Sequence, residues 1–503
     1  MRHLIQLTLL ATSAVVLSAA QTPAAEPLNI TVNSNADNIQ ADQVITLREA
    51  IALTNGDLNY EKLTRAEKSQ ITRSIIVNDQ DWYHGKVRSH VKFALPQDQT
   101  QIRIQTSLPA IQTDGTIIDG TSQLSSQQTP LISLAPATNV PIMRGLHIKA
   151  SGVTVKGLSF TGFGDIGLQT YQEPAGDIVI GQWETNDAPE QVVQDVVIAQ
   201  NWLGTSRHLP LPNAFRSGFG VYIFNGQQIE IRDNWITQQR GSGIITGKTA
   251  TNLYIHGNRI NQNGQFGMAD GIRLEGNIDR TNIQNNEINA NSGSGIYLFK
   301  PQGRVTIAQN KIRNTAATRA AIYLMGNGHE VRQNNIKSVG SGVIIAAYPR
   351  SRRNQIRQNR FQTQNGLSVD LVSQRHVGVN HYFQGDGRNL ATANYPSHWD
   401  FANGGIDAPQ FLSREFIIGL DGTVEIRGKA MPNATIELYR TTSDQAGHAV
   451  LSQPLNTVTT DARGQFQITL GTLKATERIS ATVSHPDYGT SEASRSSVIR
   501  AID

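Results

Sequence analysis

The residues of this chain that are best suited to chemistry lie between Asp270 and Lys300. Asp270 and Glu275 form the best carboxylate pair for hydrolysis of a glycosidic bond, which needs a proton donor and a second carboxylate about 5–10 Å apart. A lyase instead needs a base and a cation that stabilises an enolate-like charge. Arg273 or Lys300 fits that chemistry, with Asp270 and Glu275 holding a metal. The candidate catalytic residues are therefore Asp270, Arg273 and Glu275.

Aromatic side chains accompany these charges. Aromatic rings offer flat apolar surfaces on which sugar rings stack, and Arg or Lys holds carboxylates or sulfates. An anionic polysaccharide is therefore the expected partner. The predicted substrate-binding residues are Tyr222, Tyr297, Phe299, Lys300 and Tyr323.

A structural interpretation competes with the catalytic one. Arg273 and Glu275 can form a surface ion pair worth less than about 1 kcal/mol, and Tyr is a good strand former in its own right. The strands on either side carry no additional carboxylates, whereas a catalytic cluster of several carboxylates would recruit from at least three strands. The same residues therefore also fit a face that binds without catalysis.

A repeated phrase, apolar-x-x-Asn-x-apolar, determines where these residues lie in the fold. Its Asn residues are separated by 33, 24, 28, 24, 24 and 25 residues. A repeat of this length, made of short strands and turns, predicts a solenoid. The seven Asn residues are Asn201, Asn234, Asn258, Asn286, Asn310, Asn334 and Asn359.

A single coil of this repeat cannot bury its inward apolar residues, but stacked coils can. Strands of successive coils pair at about 4.8 Å, so that inward Ile, Leu and Val side chains form one core. An Asn at the same turn of every coil can bond to the Asn above and below it, which satisfies a buried turn. We therefore assign the seven Asn residues a structural role, in a ladder of about 29 Å.

Each coil carries a second phrase, Gly-apolar-x-apolar, in which x points away from the core. Reading x down the stack places Arg273 beside Tyr297. The predicted outward column is Tyr222, Ile245, Arg273, Tyr297, Tyr323, Ile344 and Ser368.

Both ends of the stack need a cover, because open sheet edges invite aggregation. Thr46 and Glu49 form the capping box of a short amphipathic helix, which is suited to cover the N-terminal end. Residues after Val372 must cover the other end, and short strands with turn signals there predict a β-sandwich of about 95 residues. The predicted divisions are a signal peptide at 1–20, a cap with the first strands at 21–144, the solenoid at 145–404 and the sandwich at 405–503.

The composition excludes several functional classes. Charged residues make up 17% and there are 44 Gly, which is typical of β-structure with tight turns. A net charge of +4 is too weak to argue for nucleic acid, and none is expected as a partner. The chain has no Cys, which excludes disulfides, thiolate metal sites and Cys nucleophiles.

Positive charge is concentrated in residues 330–376, with eight Arg or Lys against two acids. This local excess of 8 − 2 = +6 can attract an anionic polymer. A solvated face that merely aids solubility explains it equally well.

The N-terminus predicts export. Arg2 and His3 precede an apolar run over residues 4–20, and Ser18-Ala19-Ala20 offers small residues for cleavage. No second apolar stretch reaches membrane length, so no transmembrane segment is expected. We expect a secreted, periplasmic or cell-surface protein.

No cofactor is expected, with Ca²⁺ as the possible exception. The His residues are scattered, without a pair at metal-ligand spacing. Asp386, Asn389, Asp400 and Asn403 offer oxygen ligands for Ca²⁺, as many Gly-rich loops do.

The segment Ile45-Thr46-Leu47-Arg48-Glu49-Ala50-Ile51 resembles the "CSLREA" segment of many secreted bacterial β-helix proteins, with the usual Cys-Ser replaced. The phrases at 118–123 and 201–205 resemble two others of that group, which belongs to the pectin-lyase-like superfamily. The resemblance implies an all-β fold, a right-handed parallel β-helix. Residues 428–434 and 460–464 resemble bacterial immunoglobulin-like modules of surface proteins.

Three functional hypotheses follow. The leading one is an exported protein that binds an anionic polysaccharide with little or no catalysis. The second is a polysaccharide lyase or glycoside hydrolase centred on Asp270, Arg273 and Glu275. The third is a structural or adhesive surface protein, since the superfamily includes enzymes and adhesins alike. The identity of the glycan and the oligomeric state stay undetermined at this level.

Overall fold

A computed structural model describes the fold. The residues it describes are 26–73, 82–164, 174–182, 190–206, 216–265, 267–348, 350–373, 384–389, 391, 401–445, 448–471 and 473–501. The predicted signal peptide lies outside them.

Three long sheets form a solenoid, and each full coil contributes one strand to each sheet. The predicted right-handed parallel β-helix is confirmed. Sheet 1 contains Ile71–Arg73, which is antiparallel, followed by Leu28–Val32, His90–Phe93, Ile117–Asp119, Thr154–Lys156, Val197–Ala199, Glu230–Arg232, Tyr254–His256, Thr281–Gln284, Val305–Ala308, Glu330–Arg332 and Gln355–Arg357.

The other two solenoid sheets are parallel throughout. Sheet 2 contains Gln101–Ile104, Ser133–Pro136, Ser159–Phe160, Trp202–Leu203, Trp235–Thr237, Arg259–Asn261, Glu287–Asn289, Lys311–Asn314, Asn335–Ser338 and Arg360–Thr363. Sheet 3 contains Arg144–Ile148, Gly176–Ile180, Val221–Gln227, Ile244–Thr251, Ile272–Asn277, Ile296–Gln302, Ile322–Leu324, Val343–Ile345 and Val369–Leu371, with Val193–Gln194 beside the third.

Inward apolar side chains form a continuous core along the stack. In sheet 1, the register places Ile231, Ile255 and Ile283 directly above one another, and all three are fully buried. Burying each such side chain contributes roughly 1.5–3 kcal/mol relative to exposure. The repeat therefore stabilises the solenoid coil by coil.

A two-residue turn joins sheet 1 to sheet 2, and its second residue is the ladder Asn. Its first residue has a left-handed backbone, with φ of 55° at Asp233 and 55° at Asn285. Each ladder Asn donates from Nδ2 to Oδ1 of the next one at 2.9–3.2 Å. The same oxygen also accepts the backbone N–H of the preceding Asn, at 2.9–3.0 Å. The predicted ladder is confirmed.

A shorter column at the turn after sheet 2 was not predicted. Gln239 donates its backbone N–H to Asn263 Oδ1 at 3.1 Å, and Asn263 donates to Asn291 Oδ1 at 3.0 Å. The column satisfies buried turn groups in the same way as the long ladder.

The N-terminal helix spans Leu47–Asn55 and begins with the predicted capping box of Thr46 and Glu49. Leu47 and Ile51 are fully buried, and Arg48 donates to the carbonyl of Ser107 at 3.0 Å. The helix thus covers the N-terminal end of the core. The remaining short elements there and elsewhere are the helix Arg65–Lys68, the 3-10 turns Tyr60–Lys62, Gly120–Gln123 and Ala402–Gly405, and the hairpin of Trp82–Tyr83 with Lys86–Val87.

Two further sheets form the predicted C-terminal sandwich, called the C-terminal module below. Sheet 4 contains Gln410–Phe411, Val424–Lys429 and Gln465–Leu470. Sheet 5 contains Glu415–Ile417, Ser497–Arg500, Arg478–His485, Thr435–Gln445 and His448–Thr459, with Gly489–Thr490 beside Arg478–His485.

The C-terminal module bonds directly to the last coil. The backbone N–H of Ile356 donates to Thr490 Oγ1 at 2.8 Å, and that of Gln358 donates to Glu437 Oε1 at 2.7 Å. Since these groups lie at the end of sheet 1, the module covers the open edge that the solenoid would otherwise expose.

Candidate functional site

The outer face of sheet 3 brings the predicted site residues together. Arg273 pairs with Tyr297 in the parallel register, Tyr297 with Tyr323, and Tyr323 with Ile344. Tyr222 lies two coils before Arg273, with Ile245 between them. The predicted outward column is correct up to Ile344.

The prediction of Ser368 as the next member of this column is wrong. Ile344 pairs with Asp370. The backbone N–H of Val343 donates to the carbonyl of Ser368 at 3.0 Å, which is the bond that the corresponding Gly carbonyl accepts in earlier coils. Ser368 therefore stands where the other coils have Gly or Ala, and the last strand, Val369–Leu371, lies two residues later than the phrase predicted.

Arg273 lies between two carboxylates. Its Nη1 is 3.4 Å from Asp270 Oδ2, and its Nε donates to Glu275 Oε1. The guanidinium is 4.8 Å from the ring centroids of both Tyr297 and Phe299, a cation–π distance. Burial opposes the charged form of Arg273, but Glu275 and Asp270 outweigh burial and raise its pKa. Protein groups therefore already neutralise this cation.

Asp270 is enclosed by protein, with 5% of the residue exposed. Its Oδ1 accepts the backbone N–H of Ser294 at 2.8 Å. Burial raises the pKa of Asp270, although Arg273 and the Ser294 bond act in the opposite direction. A raised carboxyl pKa suits a proton donor, but Arg273 and Arg319 both favour the ionised form of this carboxyl, and Glu275 also binds Arg273. The expected surface ion pair is thus a largely buried charge cluster.

Two of the predicted sugar-stacking residues are packed inside the protein. Tyr297 and Tyr323 stack with their centroids 5.0 Å apart, and they are only 4% and 1% exposed. Their burial contradicts a role as open platforms, because the ring faces already contact protein. The apolar cluster outside the main core to which they belong is Tyr297, Ala320, Tyr323, Met325, Ile344, Ala346, Ala347 and Val372.

The other predicted binding residues are more accessible. Tyr222 is half-buried and packs edge-on against Phe219 at 5.6 Å. Phe299 is half-buried and Lys300 is exposed. Lys300 Nζ lies 5.4 Å from the Phe299 ring centroid and 5.3 Å from that of Tyr348. Tyr348, 42% exposed, was not predicted to contribute to this edge.

A groove at the joint between solenoid and C-terminal module was also not predicted as a site. Its volume is about 780 Å³. Arg304, Arg353 and Arg357 line it on the solenoid side, and Thr435 and Ser484 line it on the module side. We call it the arginine groove.

The arginines of the groove keep their guanidinium groups accessible. All three arginines are exposed, and their guanidinium groups form no hydrogen bond or ion pair with the residues that the structure describes. Asp279 is the one acid among the described lining residues. The backbone N–H of Arg304, at 3.0 Å, lowers the pKa of Asp279, so that it is ionised at neutral pH. The charge of Arg304 favours the ionised form of Asp279, and the charge of Arg357 favours that of Glu437.

Part of the signal for this groove was visible in the sequence. Arg353 and Arg357 belong to the basic segment 330–376, but other charges of that segment lie elsewhere. Arg332 is 3.5 Å from Glu330, and Lys337 lies on the exposed face of sheet 2. Arg375 is outside the described residues. The segment is therefore not one cationic surface.

Asp177 is a further buried acid that sequence reasoning missed. It is fully buried, accepts a hydrogen bond from Ser217, and accepts another from Gln239 Nε2 at 2.9 Å. Burial raises its pKa to about 7, against the effect of these bonds. Through Gln239 it joins the short column that runs to Asn291, which indicates a structural role.

No group of three or more His, Asp or Glu among the described residues could hold a metal ion. Of the proposed Ca²⁺ ligands, Asp386 accepts the backbone N–H of Ser373 at 2.8 Å. Asn403 Nδ2 donates to the carbonyl of Thr490 at 2.9 Å. Asp400 lies outside the described residues.

Within the described part of the chain, no helix has the length and apolar character needed to cross a membrane.

Comparison with solved structures returned proteins of low similarity. The Dettilon tailspike protein gp208 has 11% identity and a TM-score of 0.37, over 82% of this chain and 86% of that one. The DFA-IIIase of Arthrobacter chlorophenolicus A6 has 10% identity and a TM-score of 0.35, over 56% and 77%. The Streptococcus pneumoniae surface protein and adhesin PfbA has 14% identity and a TM-score of 0.33, over 55% and 83%. Similarity at this level carries no argument about function.

A search of curated proteins gave no match. A family model, described as the right-handed beta helix region, matches residues 144–361. These residues include every rung of the Asn ladder. The matched part of the chain is therefore a right-handed β-helix region.

Proposed function

We propose that this protein is exported and binds an anionic polysaccharide in the arginine groove. The observation that carries the proposal is the set of three exposed arginines, Arg304, Arg353 and Arg357, in a groove of about 780 Å³. Their guanidinium groups form no hydrogen bond or ion pair with the described residues. Guanidinium groups bind carboxylates and sulfates through paired hydrogen bonds. The repeating negative charge of an acidic glycan supplies the missing partners.

The location of the groove suits a long ligand. Residues from successive coils and from the C-terminal module line it, so a chain of sugars can contact several coils at once. Polar side chains such as Gln302 and Asn327 lie among the arginines and can bond to hydroxyl groups. Binding in this groove requires neither a metal nor the buried cluster around Arg273.

The test is retention of residues 21–503 on immobilised polygalacturonate, alginate and sulfated glycans. The double variant Arg353→Ala/Arg357→Ala should reduce retention at least tenfold, and high salt should abolish the charge contribution. A matched control is Arg313→Ala/Lys337→Ala, which removes two exposed cations that neighbour each other on sheet 2. Equal retention of both double variants would contradict a specific groove.

A second candidate function has one observation in its favour. Burial raises the pKa of Asp270 beside a cation and a second carboxylate, which is the combination that hydrolases and lyases use. The same incubations should then yield new reducing ends or unsaturated products, and Arg273→Ala should abolish them. Neither products nor retention would leave a structural or adhesive role as the best account.

A further inference from the structure

The outer side of sheet 2 carries an excess of positive charge. Over the last five strands of this sheet, outward side chains alternate with buried ones such as Ile312 and Ile336. The outward positions of these strands hold five cations and one acid, which is an uneven balance for a chain with a net charge of +4. The cations are Arg259, Lys311, Arg313, Lys337 and Arg360, and the acid is Glu287.

Four of these cations form a compact group on three adjacent strands. Lys311 and Arg313 lie two residues apart on one strand, so both point outward. Arg313 pairs directly with Lys337 in the parallel register, and Lys311 is aligned through Asn335 with Arg360. Neighbouring strands lie about 4.8 Å apart, which places the four side chains side by side. We call Lys311, Arg313, Lys337 and Arg360 the cationic face.

The charged groups of the cationic face have no contacts with other side chains of the described chain. All four side chains are exposed, and their charged groups form no hydrogen bond or ion pair with the described residues. Glu287 is aligned with Lys311 on the neighbouring strand, but the two form no ion pair within the described structure. Like charges directly opposite each other, such as Arg313 and Lys337, destabilise a sheet. The arrangement therefore does not serve the stability of the solenoid.

Sheet 1 shows that the same solenoid can pair its outward charges. Arg232 is 3.5 Å from Glu230, and Arg332 is 3.5 Å from Glu330. In each case the acid and the cation lie two residues apart on one strand. The strand Lys311–Asn314 of sheet 2 has two cations at this spacing instead. Its charges thus lack the pairing that sheet 1 has, which indicates an anionic partner outside the chain.

The position of the cationic face restricts the shape of that partner. Lys311, Arg313 and Lys337 project from one side of a sheet, and they do not line the arginine groove. Arg360 marks the border with the C-terminal module, where it lines a shallow groove beside Asn456. A partner of the cationic face therefore lies across a sheet surface and is not enclosed.

The aromatic rings on this side of sheet 2 are already in contact with protein. Trp202 packs edge-on against Trp235, with the ring centroids 5.0 Å apart. Arg259 lies 5.4 Å from the Trp235 ring centroid, and the indole N–H of Trp235 donates to Asn261 Oδ1 at 2.8 Å. The cationic face thus offers charge without an open ring on which a sugar or a base stacks. Such a face fits a partner that presents many anions in one plane, as the headgroups of an anionic membrane do.

We propose that the cationic face docks the protein on the surface of a bilayer that contains anionic phospholipids. The ammonium and guanidinium groups contact lipid phosphates, and sheet 2 lies along the membrane surface. Each Lys or Arg near such a surface strengthens binding about fivefold, and salt screens the attraction. The contact uses a different part of the solenoid from the arginine groove and does not rest on the function proposed for that groove.

The test is co-sedimentation of residues 21–503 at low salt with vesicles made of equal parts of phosphatidylglycerol and phosphatidylcholine. The protein should bind these vesicles at least tenfold more tightly than vesicles of phosphatidylcholine alone. Arg313→Ala/Lys337→Ala should weaken binding to the anionic vesicles at least tenfold, because two of the four cations are lost. The matched control, Arg353→Ala/Arg357→Ala, removes the same charge from the arginine groove and should change vesicle binding less than twofold. Thermal unfolding of each variant verifies that the fold is retained.

Three outcomes would overturn the proposal. The first is that anionic vesicles sediment no more protein than neutral ones. The second is equal weakening by both double variants, which would show a response to net charge and not to the cationic face. The third is that Arg313→Ala/Lys337→Ala loses retention on immobilised acidic glycans while vesicle binding is unchanged, which would make sheet 2 a surface for a polymer. Since vesicle binding and glycan retention are measured separately, failure of the arginine groove leaves this test intact.

Discussion

The acids of sheet 3 and the arginines of the groove differ in their exposure to solvent, although both belong to the same solenoid. Asp177, Asp270 and Asp370 are all buried along sheet 3, and burial raises the pKa of each. The groove arginines, such as Arg353, are exposed and lack described partners. Acids of the first kind are enclosed by protein and burial disfavours their charge, whereas cations of the second kind are available to a ligand. The residue types alone do not distinguish the two.

The sharpest test of this contrast is to remove the cation from the buried cluster. Arg273→Met should lower the free energy of unfolding by about 3 kcal/mol, because buried Asp270 loses the cation that contacts it and keeps only the weaker attraction of Arg319. Urea denaturation at pH 7 measures the loss. Arg313→Met, on the exposed face of sheet 2, serves as the control. A loss below about 1 kcal/mol for Arg273→Met would mean that the cluster is not structural.

Asp177 should make a measurable contribution to the pH dependence of stability. It has a pKa of about 7 in the folded protein and 3.8 as its ordinary value, so it binds more protons in the folded state between these pH values. Its own contribution to the free energy of unfolding should therefore fall by about 2 kcal/mol as the pH rises from 5 to 7. The difference between the parent and Asp177→Asn in urea denaturation curves should change by that amount over this pH range. Asp279→Asn, in the groove, should leave the slope as it is, because the lowered pKa of Asp279 acts below about pH 4.

Polysaccharide binding should depend on the groove arginines and not on Arg273, which is the reverse of what we expect for stability. Arg353→Ala/Arg357→Ala should reduce retention on polygalacturonate at least tenfold, about 1.4 kcal/mol, whereas Arg273→Ala should reduce it less than twofold. Affinity chromatography at low salt compares the two. If Arg273→Ala lost as much binding as the groove variant while remaining folded, the outer face of sheet 3 would be the binding site.

The smallest expected effect is on the stability of the groove variant. Arg353→Ala removes an exposed side chain without described partners, so the free energy of unfolding should change by less than about 0.5 kcal/mol. Thermal and urea unfolding measure it. A larger loss would reveal a structural contact of Arg353 and would weaken its assignment as a ligand-binding residue.

The repetitive part of the fold was predictable because its physics is local. The phrase that contains Asn234 or Asn286 determines both a strand and a turn, and the stacking of coils follows from its repetition. The predicted register was wrong at the last coil, where Ser368 replaces the usual Gly. The phrase Gly366-Leu367-Ser368-Val369 matches the repeat but lies two residues before the observed position.

The candidate site was less predictable, because the exposure of a side chain to a ligand depends on contacts with residues that are distant in sequence. The sequence places Tyr323 on an outer face, but it does not show that Met325 and Val372 pack around it. Arg304 was not predicted, because its groove exists only where the C-terminal module meets the coils. The basic segment gave a partial signal through Arg353, since charge excess is visible without knowing the tertiary contacts.

The hydrogen bonds of Asn403 between the last coil and the C-terminal module have an evolutionary consequence. Asn354 donates its backbone N–H to Asn403 Oδ1 at 3.1 Å, and Asn403 bonds on to Thr490, so the module is attached to the last coil alone at this corner. Duplication or loss of a coil near Asn258 would lengthen or shorten the protein by one coil and leave the arginine groove assembled. Loss of the coil that contains Asn354 would dismantle the groove, because Arg353 and Arg357 lie on it. The number of coils can thus change between related proteins, whereas the final coils must be kept.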